Sequence, residues 1–168
     1  MMSGSQSSLG AALQVNLTPN TRFAVDDDNV SLSNLSFSPV FGATSLVAGQ
    51  NVEVDTEVAN ASAITATRVR LKEDAFSGTV SNLAQNGSQA TFQMTLAPTS
   101  TFAMLTGQSA ISVTEQGGTE MQATVANGSV VRARGLLFFS SGKYQLVAAE
   151  IDGGDGEDGS GNDGSGHN

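Results

Sequence analysis

The side chains that could do acid, base or metal chemistry are few in this chain, and most are acidic. Residues 26–28 are three consecutive aspartates, and Glu53, Asp55 and Glu57 stand at alternating positions. Paired carboxylates can act as general acid and base, as they do in glycosidases. The chain has no Trp and one Tyr, so it lacks the aromatic platforms that usually hold sugars or bases. The sequence therefore predicts no catalytic residue and a protein that is not an enzyme.

Other catalytic side chains are equally scarce. His167 is the only histidine and lies one residue from the C-terminus, where nothing orients the imidazole as a Ser-His-Asp arrangement requires. Lys72 and Lys143 are the only lysines, and both stand beside predicted turns or strand ends, so we expect them on the solvated surface. The absence of cysteine excludes disulfides, thiolate metal sites and cysteine nucleophiles.

One metal-binding pattern occurs near the C-terminus. Residues 153–158 read Gly-Gly-Asp-Gly-Glu-Asp, which fits the first six positions of a calcium-binding nonapeptide repeat. Ser160 stands where that repeat needs an apolar residue, and the unit does not recur. A calcium-responsive protein that uses this segment or the loop at Asp26-Asp27-Asp28 is an alternative hypothesis, and no other cofactor is expected. The candidate ligands in this segment are Asp155, Glu157 and Asp158.

The distribution of charge bears on the partners. The formal net charge is −9, and five of the 16 acids lie after Ile151, whereas all seven bases lie before it. A mildly acidic folded part argues against nucleic-acid binding, because Lys and Arg must replace the counterions around phosphates. No apolar run reaches the roughly 18 residues needed to span a bilayer, and residues 1–12 lack the basic start and apolar centre of a secretory signal.

An internal repeat organises the chain. Residues 13–24 resemble residues 92–103 in their apolar positions, their Gln and Pro and a shared Phe-Ala pair, at a separation of 79 residues. The same separation relates residues 46–54 to residues 125–133. Two matches in one register predict two copies of one module.

A third match completes the repeat. Residues 66–69 resemble residues 148–151 at a separation of 82, which predicts a three-residue insertion near Ser140-Ser141-Gly142. The four predicted regions are a flexible N-terminus at 1–12, a first β module at 13–74, a second β module at 75–151, and a disordered Gly/Asp-rich tail at 152–168. The tail is predicted to be disordered because it has no apolar residue to bury.

Within each copy, apolar and polar residues alternate with the two-residue period of a half-buried strand. No segment shows sustained helical periodicity, so the sequence predicts antiparallel β-barrels, which also leave no exposed strand edge. The residues expected to face inward are Leu13, Val15, Leu17, Phe92, Met94 and Leu96. Turns are expected at 19–20, 48–50, 85–87, 116–118, 127–128 and 141–142.

These segments resemble a bacterial family known as domain of unknown function 5666. The resemblance covers residues 13–151 and rests on an opening strand at 76–80, a strand at 92–96, Thr101-Phe102, and a closing strand of the type at 64–71. It implies small barrels like the oligonucleotide/oligosaccharide-binding barrel, in tandem in exported or envelope proteins, with no assigned catalytic residue.

The first copy departs from that pattern. The counterpart of Gly78-Thr79-Val80 would precede Met1, so the first barrel is expected to lack its opening strand unless Ser3 to Leu9 or a neighbouring chain supplies one. An open edge would suit a protein partner or self-association by strand addition.

The main functional hypothesis is a non-catalytic structural or binding module of a bacterial protein that is periplasmic, in the cell envelope or secreted. A second alternative, besides the calcium-responsive protein, is an oligosaccharide-binding or hydrolytic barrel.

Overall fold

The computed structural model describes residues 14–59, 63–87, 89–121 and 125–153, which form nine strands and one short helix. The predicted N-terminal region, Leu13 of the predicted strand and residues 154–168 of the predicted tail lie outside the described residues. The first two residues of that predicted tail, Asp152 and Gly153, are instead the last residues of β9. The elements are β1 (Gln14–Asn16), β2 (Arg22–Val25), β3 (Asn51–Ala59), β4 (Ala63–Lys72), β5 (Asp74–Asn86), β6 (Gln89–Thr95), α1 (Thr101–Thr106), β7 (Ala110–Met121), β8 (Val130–Ser140) and β9 (Lys143–Gly153).

Strands β5 to β9 close into a barrel in the order β5-β6-β7-β9-β8. All pairs in it are antiparallel except β7 with β9. A closed five-stranded barrel whose last two strands exchange places has the Greek-key arrangement of oligonucleotide/oligosaccharide-binding barrels. The prediction of a mostly β, OB-like protein is confirmed at this level.

The barrel interior is apolar, as the alternation in β6 predicted. Phe92, Met94 and Leu96 are all buried in one cluster, together with inward-facing residues of the other barrel strands. The two-residue turn at Ser141-Gly142 joins β8 to β9, with φ of 54° and 77° at its two residues. Two positive φ values are what the right-handed twist of a tight hairpin requires.

The first module is an open sheet in the described residues, so the predicted second antiparallel barrel is not confirmed there. β4 lies at the centre, β3 pairs antiparallel with one edge, and both β1 and β2 pair parallel with the other. The turn Thr18–Thr21, closed by a 3.0 Å backbone hydrogen bond, separates β1 from β2. Only three strand positions are filled, too few to close a barrel of this kind. The expected inward positions Val15 and Leu17 are each 37% exposed.

The repeat is visible in the second half of each module. The turn glycines Gly49 and Gly128 have φ of 97° and 91°, and each turn leads into an antiparallel pair, β3 with β4 or β8 with β9. In both modules the last strand also has a parallel neighbour, β1 and β2 for β4, and β7 for β9. In its spatial arrangement the first module therefore matches the β7-β9-β8 part of the barrel, although the repeat aligns β1 with β6 and β2 with α1.

One repeated motif folds in two ways. Ser100 caps α1, because its Oγ accepts a 3.1 Å hydrogen bond from the amide of Ala103. The matching residue of the first copy, Thr21, instead donates from Oγ1 to the carbonyl of Ala66 on β4 at 2.8 Å. That contact holds the following residues as strand β2, so Phe23 is in a strand whereas its counterpart Phe102 is in a helix.

The hairpin of β8 and β9 is buried on both faces. Leu137 and Leu146 face the barrel interior, while Leu136, Phe138 and Val147 pack against the first module. The residues that cover this outer face are Leu71, Val25, Val30, Leu32, Leu35, Phe37, Phe41 and Val52. The first module and the barrel thus share one apolar wall.

Polar contacts fix the same junction. Glu73, the one residue between β4 and β5, pairs through its carboxylate with Arg134 and accepts a 3.2 Å hydrogen bond from Asn29. Its carbonyl accepts a 2.8 Å bond from Asn51, and Arg134 also pairs with Glu150 at 2.6 Å. The connection between the modules is therefore held by side chains from both.

The turn around Gly49 seats the first module on one end of the barrel. Val47 packs against the barrel core, and the hydroxyl of Tyr144 donates to the carbonyl of Ala48 at 2.8 Å. The Gln50 amide donates to the carbonyl of Leu137 at 2.9 Å. These contacts place the two modules against each other without a spacer.

The predicted turn at Gln116-Gly117-Gly118 is instead a bulge inside β7. The register with β9 jumps between Glu115 and Glu120. Thr119 stabilises the bulge, since its Oγ1 accepts from the amide of Gln116 and donates to the carbonyl of Ala148, both at 2.8 Å. Extra residues of this kind increase local twist and bend a strand.

Among the glycines of the described barrel strands, Gly135 leaves the least room for a side chain. A methyl group there would lie 2.0 Å from the carbonyl oxygen of Val147. We expect Gly135→Ala to lower the free energy of unfolding by about 1–3 kcal/mol, the usual cost of overpacking. Gly42→Ala is the matched control, because a methyl group at Gly42 meets nothing within 4 Å. Chemical denaturation measures both, and equal stability of the two variants would contradict the packing described.

Glu115 continues the inward register of Ile111 and Val113 in β7, and burial raises the pKa of its carboxyl group. A folded-state pKa above that of the unfolded chain means that stability falls as pH rises through that interval. We therefore expect Glu115→Gln to raise stability at pH 7, and the gain to vanish below the ordinary pKa of Glu. Thermal unfolding as a function of pH tests this, and a gain that persists at acid pH would contradict it.

Candidate functional site

A shallow groove of about 260 Å³ crosses the outer face of β5, β6, β7 and β9. Its walls come from strands of the closed barrel and from one residue of the first module. The lining residues are Ser36, Asn82, Thr91, Phe92, Gln93, Ser112, Val113, Thr114 and Gln145. Strands β6 and β7 are the second and third strands of the barrel.

A row of polar side chains runs along the groove because of strand register. Gln93 pairs with Ser112 across β6 and β7, and Ser112 pairs with Gln145 across β7 and β9. Residues paired in register project on the same face of a sheet. Two amides and one hydroxyl are thus aligned across three strands.

A second row lies beside the first. Thr91 of β6 pairs with Thr114 of β7, which is 3% exposed. Asn82, at a φ of 55° in the irregular part of β5, donates to Oε1 of Gln93 at 3.4 Å. This bond leaves the NH₂ group of Gln93 free to donate to a ligand. None of the described residues forms a hydrogen bond with the side chain of Ser112 or Gln145.

A loop of the first module borders the groove. Gln116 of β7 donates to the carbonyl of Ser31 at 2.5 Å, and Gln89 of β6 donates to the carbonyl of Asn34 at 2.9 Å. Gln89 also donates to Oε1 of Gln116 at 3.1 Å. These bonds hold the loop beside the barrel face and bring Ser36 into the groove lining.

The chemistry of the groove is neutral. None of its lining residues is Asp, Glu, His, Lys or Arg. The side-chain amides and hydroxyls both donate and accept hydrogen bonds. Such a surface can bind a neutral polar ligand, but it holds no titratable group for general acid or base catalysis.

The aspartates of the 26–28 run do not assemble a metal site. Asp26 forms a 2.5 Å ion pair with Lys72, and this hydrogen bond lowers the pKa of Asp26 and raises that of Lys72. Across the part of the chain that the structure describes, no three His, Cys, Asp or Glu side chains come close enough to hold a metal. Asp155, Glu157, Asp158 and His167 lie outside the described residues.

Two residues of the second carboxylate group, Glu53 and Asp55, also form ion pairs. Glu53 pairs with Arg70 at 2.9 Å and Asp55 with Arg68 at 2.6 Å, across β3 and β4. Opposite charges across neighbouring strands stabilise a sheet modestly when they are exposed. These two carboxylates are therefore part of the sheet surface.

Sequence reasoning missed the groove residues. Gln93 and Gln145 occupy outward positions of strands, where a polar side chain by itself indicates only solvent. Their alignment depends on the pairing of β7 with β9, which are neighbours in space but not in sequence. The signal that was present in the sequence is that these outward positions carry Gln and not Lys or Arg.

No family model matches the chain, and no curated protein matches it. In the described part of the chain, no helix has both the length and the apolar character to cross a membrane. Among solved structures, the chain is similar to one described as "Structure and Conformational Change of a Replication Protein A Heterotrimer Bound to ssDNA", at 15% identity and a TM-score of 0.35. That match covers 48% of this chain and 56% of the other, so this chain spans about half of that relative. It is also similar to "OBody AM1L10 bound to hen egg-white lysozyme", at 18% identity and a TM-score of 0.34, over 48% of this chain and 76% of that one.

Proposed function

We propose that this protein is a non-catalytic binding module of an exported or cell-envelope protein, and that its barrel groove binds a short, neutral oligosaccharide. The observation that carries the proposal is the uncharged row of Gln93, Ser112 and Gln145 on the outer face of three barrel strands. The location in an exported or envelope protein rests on the family resemblance of the sequence.

The groove chemistry favours a hydroxyl-rich ligand over a phosphate polymer. A nucleic acid needs Lys or Arg to replace its counterions, and the groove lining has neither. A sugar hydroxyl both donates and accepts hydrogen bonds. The amides and hydroxyls of the groove together offer donors and acceptors to match it. The absence of an exposed aromatic platform from the lining predicts weak binding, with a dissociation constant on the order of 1 mM.

A panel of neutral trisaccharides, titrated into the isotopically labelled full chain and followed by NMR, tests the proposal. We expect shifts at Gln93, Ser112 and Gln145 with at least one sugar. Gln93→Ala and Gln145→Ala should each weaken binding about fivefold, because each removes one ligand hydrogen bond. Gln108→Ala is the matched control, since Gln108 is exposed and lies outside the groove.

Two results would contradict the proposal. One is the absence of groove shifts with every sugar in the panel. The other is salt-sensitive binding of a single-stranded oligonucleotide at the same residues, which would place a phosphate polymer on this neutral surface.

A second candidate function concerns the sheet edge. β3 is nine residues long and, among the described strands, pairs only with β4. An edge strand of this length presents unpaired amides and carbonyls that can accept a further strand. We propose strand addition at β3, by a second copy of the chain or by an extended segment of a protein partner, as a further mode of binding.

Sedimentation over a wide range of protein concentration tests strand addition between copies. We expect self-association that protects the outward amides of β3 from hydrogen exchange. Thr56→Lys should weaken it, because lysine on an edge strand opposes pairing, whereas Thr99→Lys, at an exposed turn position, should not. Two observations together would overturn this second candidate. The chain would be monomeric at all concentrations, and extended peptides would not protect the β3 amides from hydrogen exchange.

A further inference from the structure

A larger cavity, of about 600 Å³, lies where the first module meets the barrel. It shares no lining residue with the groove, so it is a separate site. Its volume is within the range of small-molecule pockets. Three segments enclose it: the turn at 49–51, the start of β5, and the stretch from Leu96 through the helix α1.

The wall of this junction cavity is mostly apolar. Phe76, Leu96 and Phe102 are each less than 8% exposed and form its inner surface. The rings of Phe76 and Phe102 pack edge to face with centroids 5.3 Å apart. Leu105 stands at the cavity with 62% of its surface exposed. An apolar ligand group would cover this leucine and contact the phenylalanines.

One charged group lines the cavity, the carboxylate of Asp74. It is half-buried at the start of β5, and one of its oxygens accepts a 2.8 Å hydrogen bond from the amide of Ala75. None of the described cations lies within ion-pair distance of it. Burial raises the pKa of Asp74, and the hydrogen bond from the amide of Ala75 and the charge of Arg132 offset only part of that effect. The carboxylate is therefore partly desolvated and has capacity for a further donor.

The neighbouring side chain of Asn51 also offers an acceptor. Asn51 uses its NH₂ group on the carbonyl of Glu73 at 2.8 Å, which leaves its amide oxygen as an acceptor. Gln50 is occupied at both ends, since its oxygen accepts from Val47 and its nitrogen donates to Leu137. Fixed acceptors beside an apolar wall are complementary to a ligand that donates hydrogen bonds and carries positive charge.

We propose that the junction cavity binds a small amphiphilic amine, with its protonated amino group on Asp74 and Asn51 and its apolar body against Phe76, Phe102 and Leu105. An ammonium group supplies three donors and no acceptor, which matches these two residues. This site does not depend on sugar binding in the groove, and either could exist without the other.

NMR titration of the full chain with three ligands of one shape tests the site: 2-phenylethylamine, 2-phenylethanol and 3-phenylpropionate. We expect the amine to shift the amides of Gly49, Asp74 and Phe102 and to bind at least about tenfold more tightly than the alcohol or the carboxylate, the effect of one charge-assisted hydrogen bond.

Variants separate the charge from the apolar wall. Asp74→Asn should remove the preference for the amine, whereas Asp28→Asn, in an exposed loop elsewhere, should keep it. Leu105→Ser should weaken all three ligands by a similar factor. Val40→Ser should not, because Val40 is an aliphatic residue that is likewise exposed, at 58%, but lies outside the cavity. Because Leu105 is exposed, we expect Leu105→Ser to fold, so it tests the cavity even if Asp74→Asn unfolds.

Three outcomes would overturn the proposal. The first is equal or tighter binding of the carboxylate. The second is a preference for the amine that survives intact in a folded Asp74→Asn variant. The third is amide shifts confined to residues outside the cavity lining, or no shifts with any of the three ligands.

Discussion

The structure depends on the burial of one hairpin on both of its faces. β8 and β9 close the barrel with Leu137 and Leu146, and the same strands present Leu136, Phe138 and Val147 to the first module. Separating the modules would expose that second apolar face to water, at a cost of about 25 cal/mol for each Å². The open sheet, the junction cavity and the loop beside the groove all take their positions from this shared wall.

Much of the barrel could be predicted from local pattern. The alternation of Phe92, Met94 and Leu96 identifies an inward face, and Ser141-Gly142 identifies a tight hairpin, because both signals are set by residues that are close in sequence. The shared wall was not predicted, although the unbroken apolar run from Leu136 to Phe139 is a local signal for it. Such a run is typical of strands buried on both faces, and it distinguishes the second copy from the first.

The errors came from contacts between distant residues. Thr21 and Ser100 are similar residues at matching positions, yet one bonds to the carbonyl of Ala66 and the other caps a helix. The alternation in β1 predicted burial that Val15 does not have in the described structure. For the groove, the glutamines are evident in the sequence, but the register of Ser112 with Gln145 that aligns them is not. β7 and β9 are neighbours in the barrel, but β8 separates them in the sequence.

Ser36 belongs to the first module, yet it lines the groove on the barrel. A ligand that contacts both Ser36 and the barrel amides would bind only when the loop is in place against β6 and β7. Thermodynamic linkage then requires that occupancy of the groove increase the free energy needed to detach that loop, by RT ln(1 + [L]/Kd). Binding on the barrel would in this way regulate how firmly this loop of the first module is held.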